Sequence, residues 1–567
     1  MLGARYDPRA SLRATKAPRS GQPNRRGRTR SNSYIKRRID VAEAAEKTEK
    51  ECIMDQTSQS PGGFIAGAPD SRDDGHRQPK AAGQSESYGH GNLIDGTFTD
   101  DAMPLSPASE SAATTTPREL ESRFDAPAWL KQKRRRPLRG LLRSSRRALR
   151  LRRSPCGMVL LMLAAVLGTL AAYTWRREKG FDAPWVPDPE SQRFALQPLP
   201  TPLNRTLVAD YELPLRTKGR YIVDAAGRRF RLSSVNWYGA SDELFVAGGL
   251  DVRHRAEIAQ TIKKLGFNSV RLPYADETVR ANPRIDADLV AANPDLAGRR
   301  AMDVLEAVVE ALTEAGLAVI VNNHITSATW CCGADPCDAG WANDHLGPLC
   351  RVRQTEDEWI ENWEDVMARF VNNPLVIGAD LRNEVRGLWG TMPWAKWATA
   401  AERCGNRLLR MRPDWLIVVE GTESANDVSG ARTRPVRLDV SERLVYSAHV
   451  YKWSGWGSVD GRFQQRTYAS FARAMERNWG YLLSSQVAPV WVGELGAPGR
   501  PSVGDAHYWQ HLWRFLREVD ADFGYWALNA RKPAGNETET YGLVADDWAT
   551  PVLDFRLKDM LEHMRRA

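Results

Sequence analysis

Residues 301–324 read AMDVLEAVVEALTEAGLAVIVNNH, and the two halves carry different periods. In the first half apolar residues recur every three to four positions, as on one face of an α-helix, and Gly316 stands where a helix commonly ends. In the second, 318–322 is a short apolar run of the kind a strand shows when both its faces are covered. The same pair of signals repeats on both sides. Short apolar, β-branched runs fall at 232–236, 268–272, 318–322, 376–381, 416–419, 444–448, 490–493 and 524–528. Between them lie amphipathic stretches such as AEIAQTIKKLG, EDEWIENWEDVMARFVN and AHYWQHLWRFLREVD. Eight alternations over about 350 residues predict an α/β fold, a closed (β/α)8 TIM barrel over 214–567, rather than an open doubly wound sheet. The first strand is followed by no Gly-rich phosphate loop that would support nucleotide binding. Ahead of it, RYIVDAAGRRFRLSSVNW reads as two short β runs around a turn at 225–227.

Upstream the composition changes. Residues 1–153 are rich in Arg, Ser, Pro, Gly and Gln with few aromatic residues, too little apolar surface to offset the entropy of ordering, so a disordered basic tail is predicted. The formal charge of +9 is concentrated at 131–153, so nucleic-acid binding is not expected from it. Directly after that run, 156–175 (CGMVLLMLAAVLGTLAAYTW) is uncharged and long enough to span a bilayer, too deep in the chain for a cleaved signal peptide. It reads as a transmembrane signal anchor. Around a dozen Lys and Arg before it, against four in a comparable stretch after it, predict a single-pass type II protein with the barrel lumenal or extracellular. The triplets Asn204-Arg-Thr and Asn536-Glu-Thr fall on that outer side, where glycosylation occurs. Residues 176–213 are Pro-rich and are expected to form an extended stalk.

In a barrel of this kind reactive groups sit at the C-terminal ends of the strands. Reading those positions gives Asn236 and Trp237 after the first run, Arg271 after the second, His324 after the third, and Asn383 with Glu384 after the fourth. His449 and Tyr451 follow the sixth, Glu494 follows the seventh, and Trp526 lies in the eighth. Any one of these has an ordinary structural reading; what matters is that one stands at each expected strand end. Cleavage of a β-glycosidic bond through a covalent intermediate needs one carboxylic acid for the leaving oxygen and one carboxylate for the anomeric carbon, roughly 5 Å apart. Glu384 is the expected general acid/base and Glu494 the nucleophile. Arg271 and Tyr451 are expected to orient Glu494 and keep its pKa low, His449 to hydrogen-bond near the acid, and Asn383 to bind the sugar 2-hydroxyl. Trp526 would floor the sugar. An acid and a base sharing one site predict a bell-shaped pH profile.

The stretches VNWYG, NSVRLPY, VIVNNHITSATWCC, VIGADLRNEVRG, LVYSAHVYKWS, VWVGELG and YWAL resemble glycoside hydrolase family 5, the cellulase family, from about residue 220 to the C-terminus. The resemblance is nearest to its plant and microbial-eukaryote cellulase-like branch. It implies Asn383-Glu384 as the acid/base pair and Glu494 as nucleophile, with Arg271, His324, His449, Tyr451 and Trp526 on the family's supporting positions. Val385 departs from the proline common after the acid/base in that family.

Seventeen of the 20 tryptophans fall at or after Trp237. Trp237, Trp330, Trp341, Trp389, Trp394, Trp453, Trp456 and Trp526 flank strand ends and suit a polysaccharide cleft, whereas Trp359, Trp363, Trp509 and Trp513, spaced by four, read as helix core. Five of the seven cysteines follow the apolar run, an odd number that leaves one without a partner inside it. Cys331, Cys332, Cys337 and Cys350, near His324 and His345, have the residue types of a zinc site; an oxidising compartment and a mechanism that needs no metal favour disulfides pinning a loop. The expectation is a membrane-anchored retaining endo-β-glycosidase acting on a β-glucan-type oligo- or polysaccharide, with no cofactor and no metal. The competing readings are a hydrolase of glycolipids or secretory-pathway glycans, and a non-catalytic glycan-binding protein.

Overall fold

The computed structural model of the chain describes residues 155–200, 207–387, 392–455, 458–533 and 537–565. The expected tail at 1–153, the sequon residues Asn204 and Asn536, and Trp389 and Trp456 lie outside the described residues.

A short antiparallel hairpin, β1 (Arg216–Lys218) and β2 (Tyr221–Val223), precedes eight strands: β3 (Ser233–Asn236), β4 (Ser269–Ala275), β5 (Ala318–Ile325), β6 (Val376–Asp380), β7 (Leu416–Glu420), β8 (Leu444–Val450), β9 (Val490–Leu495) and β10 (Asp522–Tyr525). These eight pair in chain order, all parallel, and β10 returns to β3 to close the barrel. Helices including Ala301–Glu314, Glu356–Ala368, Trp394–Met411 and Val503–Val519 lie between the strands in sequence. Their ends are set locally. Thr355 with Glu358, and Ser502 with Asp505, form reciprocal caps that satisfy amides otherwise left over at a helix start. Trp359, Trp363, Trp509 and Trp513 are all buried in the main apolar core, the placement their spacing predicts.

The lower end of the barrel is plugged. Ile222 and Phe230 pack with Leu232, Ala318, Ile320, Ile377, Leu416, Val418, Val445 and Trp491, and the Arg443 guanidinium donates to the Leu215 carbonyl. Gly378 shows how little room remains between strands: a Cβ there would stand 2.3 Å from the Leu416 carbonyl oxygen, across the β6/β7 pairing. Gly378→Ala is therefore expected to destabilise the fold by about 1–3 kcal/mol, the usual cost of overpacking. Guanidinium unfolding curves check this; a midpoint equal to wild type would mean that β6 can shift at no cost.

Two expectations about the N-terminal region change. Residues Pro155–Phe181 are helical over the expected span, but among the described residues no helix is long and apolar enough to cross a membrane, so a transmembrane segment is not supported. Part of the expected stalk is docked on the barrel instead of standing free. The Trp185 amide donates to the Pro501 carbonyl, its indole packs edge-on against Phe555 at 5.3 Å, and Pro189–Ala195 forms a helical turn capped by Asp188. An exposed apolar ring next to a barrel helix gains more from burial than the Pro-rich chain gains from staying extended.

Candidate active site

At the C-terminal end of the barrel a cleft of about 340 Å³ is lined by Tyr238, Asp242, His324, Trp330, Cys331, Cys332, Asn383, Glu384, Tyr451, Trp453, Glu494, Trp526, Lys532, Glu539, Thr540 and Tyr541. Parallel pairing places the residues beneath it. The register that sets Asn236 against Arg271, and His449 against Glu494, aims four polar side chains from adjacent strands at one volume.

Arg271, fully buried, is the hub. Its Nε donates to Asp380 (2.7 Å), one terminal nitrogen to Glu494 (2.5 Å) and Asn236 (3.0 Å), and the other to Glu420 (2.9 Å) and Asn383 (2.8 Å). Only a planar fork with five donors can serve five acceptors in this way. Tyr451 donates its hydroxyl to the second oxygen of Glu494 (2.9 Å). His449 Nδ1 lies 3.1 Å from Glu384 Oε1 and 3.7 Å from Glu494 Oε2, while its Nε2 faces Glu420 Oε1 at 3.4 Å. Carboxylate oxygens of Glu384 and Glu494 come within 4.8 Å of each other.

His324 is held differently. Asn322 spends its amide nitrogen on Asp380, so its oxygen accepts from His324 Nδ1–H (2.9 Å), which fixes the tautomer and leaves Nε2 as an acceptor. Burial, helped by Arg271, pushes the His324 pKa well below its ordinary value, so the ring is neutral. It lies nearly parallel to Trp526 (5.5 Å, 12°), as does Tyr238 (4.8 Å, 9°). Trp526 itself sits just past the end of β10 and not inside it.

Arg271 and His449 stand among three buried carboxyl groups, Asp380, Glu420 and Glu494. Burial, reinforced by neighbouring Glu420, drives the Asp380 pKa well up against the pull of Arg271. Glu420, equally buried, is nevertheless pulled down to about 2 by His449, Arg271 and the Glu384 amide. Burial opposes a charge on His449, but Glu420 and Glu494 outweigh it and raise its pKa well above the usual imidazole value. The sequence expectation that Arg271 keeps the pKa of Glu494 low is corrected here. Burial raises it, and repulsion from Glu384 and Glu420 adds to that, so the pull of His449 and Arg271 is only partial compensation.

Asn383, Glu384, Glu494, His324, Tyr451 and Trp526 all line the cleft, with Arg271 and His449 directly beneath. Trp237 does not join them. It is fully buried, with its indole N–H bonded to the Gly248 carbonyl (2.9 Å), because neighbouring residues on a strand face opposite ways and Asn236 already faces inward to Arg271, Gly493 and Tyr525. Trp341 is likewise core, against Trp359 and Trp397, and Trp394 packs on Tyr446; Trp330 and Trp453 do reach the cleft.

Among the described residues Cys331 pairs with Cys332 in the cleft wall and Cys337 with Cys350 behind it. Among the described residues Cys404 is buried and unpaired. The strand-end reading passed over Glu420 and Asp380, and with them Glu539, which accepts from the Tyr238 hydroxyl at 2.6 Å. A carboxylate inside or closing an apolar run (GAD at 378–380, VVE at 418–420) was the available signal for the first two.

Comparison with known proteins agrees with this geometry. The family model "Cellulase (glycosyl hydrolase family 5)" matches residues 223–532, more than half the chain. The chain belongs to glycosyl hydrolase family 5. An endoglucanase of Paenibacillus polymyxa is 32% identical over 351 residues, covering 59% of this chain and 83% of that protein. A glycosyl hydrolase 5 family protein of the conifer Chamaecyparis obtusa is 29% identical, covering 62% and 66%. Among solved structures, a cellotetraose complex of the endocellulase of Pyrococcus horikoshii superposes with a TM-score of 0.50 at 25% identity, over 62% of this chain and all of that one. As a member of family 5 the protein is a glycoside hydrolase.

Proposed function

We propose that this family 5 protein is a retaining endo-β-glycosidase that cleaves a β-glucan of the cellulose type by double displacement. One observation carries the reading: two carboxylates from different strands with oxygens within 4.8 Å, the short separation that suits a covalent route and leaves no space for a water between them and the sugar. Glu494, held by Arg271 and Tyr451, attacks the anomeric carbon while Glu384 protonates the departing oxygen. Glu384 then removes a proton from the water that releases the sugar from Glu494. Asn383 and the acceptor nitrogen of His324 hold sugar hydroxyls, and Trp526 supplies a flat apolar surface beneath the ring.

The substrate class is supported by relatives that are endoglucanases and by a similar endocellulase that binds cellotetraose. Trp330 and Trp453, each about half exposed at the cleft (46% and 49%), suit further sugars of an extended chain. Release of reducing ends from cellotetraose and soluble β-glucan, compared with mannan, xylan and glycosylceramide, tests the proposal. Selective cleavage of the glucans is expected, and cleavage of the glycolipid alone would replace the substrate class.

The raised pKa of Glu494 sets the acid side of the pH profile. The nucleophile works only when ionised, so kcat/KM falls as pH drops through a value above the ordinary glutamate 4.5. An acid limb with its midpoint at or below 4.5 would contradict this.

A location outside the cytosol is part of the same proposal. It is supported by the two disulfides, which form and persist in oxidising compartments. With the full chain expressed, protease protection of the barrel in sealed microsomes is the expected result, and cleavage of the barrel without detergent would contradict it.

A further inference from the structure

Glu420, at the end of β7, is completely buried and takes no part in the bond-making described above. Its Oε2 accepts the backbone N–H of Glu384 at 2.7 Å. That amide belongs to a residue in the left-handed region (φ +47°), a conformation L side chains seldom adopt without outside support. The other oxygen, Oε1, lies 3.4 Å from His449 Nε2, and the opposite nitrogen of the same ring is 3.1 Å from the Glu384 carboxyl. One carboxylate therefore grips Glu384 twice, at its backbone directly and at its side chain through an imidazole. Glu420 is itself fixed, since its carbonyl accepts the Trp397 indole N–H at 2.8 Å.

We propose that Glu420 is a positioning residue for proton transfer, holding Glu384 in the conformation from which it protonates the leaving oxygen. This rests on the acid/base role proposed for Glu384. The charged and titratable groups around Glu420 include Arg271, His449, Asp380, His324, Arg382, Glu494 and Glu384 itself. Arg271 offers a rival route: it shares Glu420 Oε1 and also holds Glu494, so Glu420 could instead act on the nucleophile.

The leaving group separates the two. A 2,4-dinitrophenolate departs without a proton, whereas a sugar hydroxyl needs one, so a defect in acid positioning hurts the second substrate selectively. In the full chain, Glu420→Gln is expected to lower kcat/KM for cellotetraose by roughly 100-fold and for 2,4-dinitrophenyl β-cellobioside by less than about fivefold. The retained aryl activity also reports that the variant is folded. Glu420→Asp, which keeps the charge but withdraws it from the Glu384 amide, carries the same expectation. Equal losses on both substrates in both variants, or no loss on either, would overturn the assignment. A wild type that cleaves neither substrate would overturn the proposed function and this inference with it.

Discussion

Glu494→Gln is expected to leave a folded protein whose kcat is lower by on the order of 10⁴ or more, the scale of loss when a covalent nucleophile is removed. The amide keeps the shape of the side chain and an oxygen for Arg271, and its NH2 can donate to the Tyr451 hydroxyl oxygen where the second carboxylate oxygen had accepted, so the cleft is preserved. It cannot attack the anomeric carbon. Because Glu494 ionises against burial and the repulsion of Glu384 and Glu420, its neutral replacement relieves those costs and the thermal midpoint should not fall. Cellotetraose binding by calorimetry should persist. Loss of binding together with activity would mean that the substitution had disturbed the cleft, and retained turnover would remove Glu494 from the mechanism.

Arg271→Met is expected to impair folding and activity together. It deletes the one guanidinium that meets Asp380, Glu420 and Glu494, all of them buried, leaving His449 as the remaining cation among these groups. Breaking a buried ion pair from one side costs about 3–5 kcal/mol because the other partner stays uncompensated. Here the surviving carboxylates respond by taking up protons, Glu494 among them, so kcat is expected to fall by on the order of 10³ or more even in the fraction that folds. Arg271→Lys restores the charge but not the fork, since one ammonium with three donors cannot reach all five acceptors, and should recover stability better than activity. Circular dichroism melts with cellotetraose kinetics check both. A methionine variant as stable as wild type would show that the carboxylates are neutral already.

These outcomes also show why so much of the site could be read from one strand of text. In a closed parallel barrel both strand faces are covered, so 318–322 and its seven counterparts stand out as apolar runs, and the ends of those runs point to the cleft. The runs stopped short, however. β4 continues through Pro273 and Tyr274 to Ala275, and β5 and β8 continue to Ile325 and Val450, where polar residues that end the apolar pattern, such as Asn323 and His449, still keep the backbone ladder. Glu420 was lost by the same cut, since the run was closed at 419 and the amide it holds lies 36 residues away in sequence. Trp237 was misplaced for a different reason. Composition says that a tryptophan follows the strand, but only the alternation fixed by inward-facing Asn236 says which way it points. The docking of Trp185 on Phe555 leaves no pattern in a Pro-rich segment, because it depends on a surface made elsewhere in the chain.

The most direct test of the central claim is the stereochemistry of the first product. Proton NMR of the full chain cleaving cellotetraose, followed before mutarotation sets in, should show the new reducing end appearing as the β-anomer, since two displacements through Glu494 restore the starting configuration. The α-anomer appearing first would mean a single displacement by water, and would contradict the nucleophilic role of Glu494.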